Sequence, residues 1–122
     1  MTSALFAYGT LRHPVIVHRI LGRIPEQEEV ELEGFVRYRI RGADYPGIFP
    51  QSDSRVNGTR FPGITPEEWA RLDHYESDLY ERREVEILHT DGSRSRAFAY
   101  ILPPANESAC TEEPWDLDTY HP

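Results

Sequence analysis

Hydrophobic residues in the first half of the chain occur as short runs and alternations, which predict several strands and one short helix. Residues 4–7 form a continuous apolar run of the kind found in buried strands, and a Tyr-Gly-Thr turn ends it. Residues 14–21 predict a short helix that stops at a glycine, although their valines and isoleucines suit a strand equally well. Apolar positions alternate over much of residues 30–40, which predicts one long strand with a bulge or bend at Gly34.

Two extended segments and a hairpin are predicted in the rest of the chain. Residues 44–50 are bounded by prolines, which restricts them to an edge strand or a loop that lines a site, and residues 55–61 predict a short strand with a bulge at Gly58. Two alternating segments flank an Asp-Gly pair, a strong hairpin signal, and they are residues 81–88 and 96–102. With so few helices among the strands, the order of elements predicts an α+β fold.

A second helix is predicted to begin at Pro66. Thr65 supplies a hydroxyl cap, and Glu68 stands three residues after it, as in a capping box. Residues at offsets of three, four and seven share one face of this helix. They are Trp69, Leu72, Asp73 and Glu76. The apolar face therefore ends in two acids near the negative end of the helix dipole, which raises a carboxyl pKa and suits a general acid or base.

Composition and charge exclude several classes of function. The chain has 122 residues, enough for one domain, and a formal charge of -8, which argues against nucleic acid as its main partner. All 13 basic residues are arginines, so lysine Schiff-base chemistry and a phosphate-loop lysine are excluded. The five histidines show no ligand spacing and Cys110 is alone among acidic neighbours, so we expect no metal site and no cysteine nucleophile.

The same features lead to expectations about location and organisation. The sequence shows no signal-peptide pattern and no apolar stretch of membrane-spanning length, so we expect a cytoplasmic protein without a membrane partner. A monomer is expected from the acidic composition. We expect residues 1–104 to form the domain and residues 105–122 to form an acidic tail, which either packs through Trp115 or hangs loose.

Four motifs in matching order resemble the gamma-glutamylcyclotransferase-like superfamily, and within it the AIG2-like and gamma-glutamylamine cyclotransferase group. The resemblance spans nearly all of residues 4–102. The motifs are Tyr8-Gly9-Thr10-Leu11 after a strand, Tyr45-Pro46, Val56-x-Gly58, and Leu72-Asp73-x-Tyr75-Glu76 followed by Tyr80-x-Arg82. Ser77 departs from the pattern, because family members commonly have glycine there.

The resemblance implies a small mixed β-barrel with flanking helices and an enzyme that needs no cofactor. It implies that Glu76 is the catalytic acid and base, and that residues 8–11 form the substrate loop. The substrate is then a γ-glutamyl amine or amide, which cyclises to 5-oxoproline and releases a free amine. Two alternatives remain open: a non-catalytic module that binds a small metabolite, and the same chemistry on a larger carrier-bound intermediate.

Some neighbouring residues have both structural and functional interpretations. Tyr45 and Tyr80 are possible pocket residues, although Tyr80 and Arg82 either border the site or only brace the barrel. Asp73 is another pocket candidate, but a structural acid bonded to an amide or an arginine is favoured. Arginines 37, 39 and 41 alternate on one strand face, and we interpret them as a solvated edge in preference to an anion site. The two tryptophans are interpreted as core and anchor residues.

Overall fold

Five strands close into a barrel in the computed structural model, which describes residues 3–120. The strands are β1 (Leu5–Ala7), β2 (Glu28–Arg39), β3 (Pro46–Phe61), β4 (Glu81–His89) and β5 (Arg94–Ile101). Their order around the barrel is β1-β3-β2-β4-β5, and every neighbouring pair is antiparallel except β1 and β5, which are parallel. The predicted α+β fold with a small mixed barrel is confirmed.

The strand β1 is buried on both of its faces, which explains why its sequence is apolar without alternation. Phe6 and Tyr8 belong to a cluster that also contains Val30, Leu32 and Ile87 from the other strands, and this cluster fills the barrel. Leu5 and Ala7 point the other way and pack against the helices. Packing on both faces thus holds β1 in place up to the start of the Tyr8–Leu11 loop.

Two helices pack on the outside of the barrel, α1 (Pro14–Leu21) and α2 (Pro66–Glu76). The residues 14–21 form a helix and not a strand, because proline takes the first position and Gly22 ends the helix with a φ of 75°. The predicted capping box of α2 is confirmed: Thr65 Oγ1 accepts from the Glu68 amide, and Glu68 Oε1 accepts from the Thr65 amide. A 3-10 turn, Ser77–Leu79, follows α2 directly.

The strand β3 differs from the sequence prediction in two ways. The predicted segments 44–50 and 55–61 join into one strand, because β2 offers pairing partners along almost the whole length. In its partner strand β2, the predicted bulge at Gly34 is confirmed by a register shift between Glu33 and Phe35. The bulge predicted at Gly58 is wrong, since its register is continuous; a Cβ there would lie 2.6 Å from the Phe6 ring.

The hairpin β4–β5 is confirmed, with the His89 amide donating to the Ser93 carbonyl across its turn.

The segment after residue 104 packs on the barrel and does not hang loose. Trp115 is buried and its indole N–H donates to the Asp44 carbonyl at 2.8 Å, while Ile40 and Cys110 form an isolated bridge. Within residues 3–120, no helix has the length and apolar character needed to cross a bilayer.

Candidate active site

A cavity of about 200 Å³ opens where the end of β1 meets the end of α2. Its walls come from three parts of the chain: residues 5–11, residues 75–77 with 79 and 80, and the pair Tyr45-Pro46 that leads into β3. Tyr100 of β5 completes the lining. Most of these side chains are aromatic or apolar, and Glu76 is the acidic residue among them. A carboxyl group in such surroundings is poorly solvated, which has consequences for its charge.

Glu76 is the last residue of α2, and the helix directs it to the cavity wall. Burial raises the pKa of its carboxyl group from 4.5 to about 8. The residue retains some exposed surface because it borders the cavity, but no ion pair or hydrogen bond among the described side chains compensates its charge. At neutral pH the group is mostly protonated and can exchange its proton with a bound molecule.

The loop Tyr8–Leu11 lies on the same cavity. Tyr8 is held by its hydroxyl, which donates to the Tyr100 carbonyl at 2.5 Å, and burial raises its pKa. Gly9 approaches the proline ring of Pro46 so closely that a Cβ would lie 2.9 Å from it. Apart from bonds within helices and between paired strands, the amides of residues 9–11 donate to no backbone carbonyl among residues 3–120. These amides are therefore free to face a ligand.

Tyrosine side chains connect the walls of the cavity. The Tyr80 hydroxyl donates to the Pro46 carbonyl at 2.6 Å, and burial raises the Tyr80 pKa. Tyr45 lies at the open side and is 43% exposed. Tyr75 belongs to a family motif but was not predicted as a pocket residue; its hydroxyl and Thr10 Oγ1 are 2.8 Å apart, which joins α2 to the loop across the cavity. The predicted residues Tyr8, Tyr45 and Tyr80 all line the cavity, and Tyr75 and Tyr100 join them.

Asp73 is not among the residues that line the cavity. Its carboxylate accepts from the Tyr100 hydroxyl at 2.7 Å and lies 3.2 Å from the Arg82 guanidinium. The same guanidinium stacks on the Trp69 ring at 4.7 Å. These contacts match the structural interpretation of Asp73 and Arg82, in which they brace α2 against β4 and β5.

Arg37 contradicts the interpretation of a solvated arginine edge. Its guanidinium donates to the Tyr8 carbonyl at 2.9 Å and to the Asn57 carbonyl and side chain, and it lies 6.0 Å from the Trp115 ring. Burial lowers its pKa. The side chains of Arg39 and Arg41 are exposed. Arg37 differs from them because it faces the point where β1 leaves the barrel. Arg37 therefore supports the loop from behind.

Eight of the lining residues were not predicted as site residues: Leu5, Phe6, Ala7, Pro46, Tyr75, Ser77, Leu79 and Tyr100. Tyr75, Ser77 and Leu79 flank Glu76, so their distance from it along the chain was an available signal. Tyr100 could have been found only from the pairing of β5 with its neighbours, which the sequence does not reveal. Within the described part of the chain, no group of three or more potential metal-ligating side chains comes together.

The closed mixed barrel of five strands, with helices packed on its outside, is the gamma-glutamylcyclotransferase-like fold. The chain belongs to the gamma-glutamyl cyclotransferase, AIG2-like family, whose model matches residues 5–117.

Relatives and solved structures agree with this membership. The chain is 42% identical to AIG2-like protein C and 39% identical to AIG2-like protein B, both of Arabidopsis thaliana. Each match covers 95% of this chain and 67% of the relative. A solution structure from Arabidopsis thaliana has a TM-score of 0.79 at 32% identity, covering 94% of this chain and 77% of its own. A structure of gamma-glutamyl cyclotransferase has a TM-score of 0.72 at 17% identity, covering 84% and 68%, which shows the fold alone.

Proposed function

We propose that this protein is a cyclotransferase that converts a γ-glutamyl amine or amide into 5-oxoproline and a free amine, with Glu76 as the general acid and base. The observation that carries the proposal is the position of Glu76, at a cavity wall shared with the Tyr8–Leu11 loop and with a pKa raised to about 8 by burial. Family membership supports a reaction of the cyclotransferase type.

The raised pKa suits the proton transfers that this reaction needs. The α-ammonium group of a γ-glutamyl compound titrates near about 8, so its proton can pass to the Glu76 carboxylate with little change in free energy. The freed amine attacks the γ-carbonyl carbon of the same molecule and forms the C–N bond of the ring. Glu76 then gives the proton to the departing nitrogen as the original amide bond breaks. The attacking nitrogen passes its second proton through Glu76 as well, so the ring nitrogen keeps one proton, the amine leaves as an ammonium ion and the Glu76 carboxylate is restored. The groups that react are already joined, so no covalent enzyme intermediate is required.

The loop supplies hydrogen-bond donors without a positive side chain. No arginine, lysine or histidine occurs among the residues that line the cavity in the described part of the chain. The free amides of residues 9–11 are therefore the groups we assign to the negative charges of the substrate. Those charges are the α-carboxylate and the carbonyl oxygen that becomes negative when the ring closes. The loop amides can donate hydrogen bonds to either of them.

The test is to incubate the purified protein with a panel of γ-glutamyl amines and dipeptides and to assay 5-oxoproline. Glu76→Gln keeps the size of the side chain but cannot exchange a proton, so turnover is expected to fall by at least about 100-fold. Glu67→Gln alters an exposed acid in the first turn of the same helix and is the matched control. If the wild-type protein binds panel members but turns over none of them, it is a binding module.

A further inference from the structure

Ser77, the residue after Glu76, has a backbone conformation that amino acids with a side chain rarely adopt. Its φ is 63° and its ψ is -169°. This combination lies outside the left-handed helical region and belongs to a part of conformational space that is occupied essentially by glycine. The conformation turns the chain sharply at the end of α2, so it fixes where the helix stops and where Glu76 points. A serine here costs folding stability that a glycine would not cost.

The other non-glycine residue with a positive φ among the described residues is Asp53, and it differs from Ser77 in two respects. Asp53 has a φ of 64°, and aspartate is one of the few residue types that tolerate a positive φ. Both residues are exposed, but Asp53 lies on β3 away from the cavity, whereas Ser77 lines it. Strained residues concentrate at functional sites, where a side chain is needed despite its cost.

Local contacts do not account for the serine. Its hydroxyl accepts from the Leu79 amide at 3.5 Å, which is at the limit of a hydrogen bond and contributes little. The conformation would persist with glycine, because the amide of residue 77 donates to the Asp73 carbonyl whatever its side chain. The gain from the Ser77 side chain must therefore come from something that the folded chain alone does not contain.

The other hydroxyl groups around the cavity are mostly engaged by the protein itself. Short hydrogen bonds of 2.5 to 2.8 Å hold the hydroxyls of Tyr8, Thr10, Tyr75, Tyr80 and Tyr100. Among the described lining residues, this leaves the hydroxyls of Ser77 and Tyr45 without a short protein partner. Of these two, Ser77 is bonded directly to Glu76.

We propose that Ser77 binds the substrate through its hydroxyl oxygen, which accepts a hydrogen bond from the departing nitrogen. This inference rests on the proposed function. Glu76 must reach that nitrogen to protonate it, and the adjacent residue lies on the same side of the cavity. When the nitrogen takes the proton it becomes a stronger hydrogen-bond donor, and an acceptor beside the acid stabilises it as it leaves.

The test compares wild type with Ser77→Ala and Ser77→Gly. Alanine removes the hydroxyl and keeps the strain, whereas glycine removes both. On γ-glutamyl methylamide, both variants are expected to lose about three- to tenfold in kcat/KM, the range for one neutral hydrogen bond. In thermal unfolding, only Ser77→Gly is expected to gain, by roughly 2–6 °C, because glycine relieves the backbone strain.

An unchanged kcat/KM in Ser77→Ala would overturn the role of the hydroxyl, whether or not Ser77→Gly loses activity. If wild type releases no 5-oxoproline, the proposed function fails, and the three proteins are compared by calorimetric binding of γ-glutamyl methylamide. Weaker binding by both variants then supports the contact, and equal binding rejects it. Absence of binding by all three overturns both proposals.

Discussion

Replacing Glu76 by glutamine is expected to change how folding stability depends on pH. The carboxyl pKa is 4.5 ordinarily and about 8 in the folded protein, so between these pH values the folded state holds a proton that the unfolded state has released. Stability therefore falls as the pH rises through this window, and the loss is complete above about pH 8. Below pH 4.5 both states are protonated and the group contributes nothing. Glutamine imitates the protonated acid at every pH.

The magnitude follows from the two pKa values. One pKa unit corresponds to about 1.36 kcal/mol, so the difference between 4.5 and about 8 is worth up to about 5 kcal/mol. Glu76 borders an open cavity, and partial solvation lowers this figure. We therefore expect Glu76→Gln to become more stable than wild type as the pH rises, with the difference in free energy of unfolding growing by about 2–4 kcal/mol from pH 5 to pH 9.

The assay is urea unfolding of both proteins at one-unit intervals from pH 5 to pH 9, followed by tryptophan fluorescence and extrapolated to water. All other titrating groups are shared, so their contributions cancel in the difference between the two proteins. Glu67→Gln, at an exposed position of the same helix, is expected to run parallel to wild type. Parallel curves for Glu76→Gln as well would refute the argument, because they would mean that the carboxyl group titrates normally.

Three further predictions concern activity and packing. The kcat/KM of the proposed reaction should peak near pH 8 and fall on both sides, since Glu76 and the substrate amine must share one proton; a plateau extending below pH 6 would contradict this. Gly58→Ala should destabilise the fold by about 1–3 kcal/mol in chemical denaturation, because its Cβ would lie 2.5 Å from the Ala7 carbonyl oxygen and 2.6 Å from the Phe6 ring; unchanged stability would show that β1 can shift away from β3 at little cost. Glu68→Gln should cost about 1–3 kcal/mol at pH 7, a figure discounted because its partner Arg23 is 43% exposed. The Glu68 pKa is lowered to about 2, mainly by the hydrogen bonds from Arg23, so the stability is present above pH 4.5 and lost toward pH 2; a cost that persists at pH 2 would argue against the ion pair.

Features that depend on nearby residues could be predicted from the sequence. The capping box at Thr65 and Glu68 fixed the start of α2, and helical spacing from there brought Glu76 to the end of its apolar face. The Asp-Gly turn identified the β4–β5 hairpin in the same way. Each of these signals lies within about a dozen residues, where the geometry of one helix or one turn decides the outcome.

Features that depend on closure of the barrel could not be predicted. Arg37 reaches the carbonyl of Tyr8, which is 29 positions away, only because β2 and β1 both pair with β3. Gly58 is small because Phe6 packs over it, and no pattern within β3 shows this. The aspartate at position 73 shares a helix face with Glu76 but lies outside the cavity, because Arg82 and Tyr100 hold it.

The contact of Arg37 with both Tyr8 and Trp115 has a practical consequence for protein engineering. One guanidinium bonds to the carbonyl at the start of the Tyr8–Leu11 loop and adjoins the indole of the C-terminal segment. A chimera that grafts the C-terminal segment of a relative onto this barrel would therefore need a matching aromatic ring at position 115, or the graft would disturb the Tyr8–Leu11 loop through Arg37.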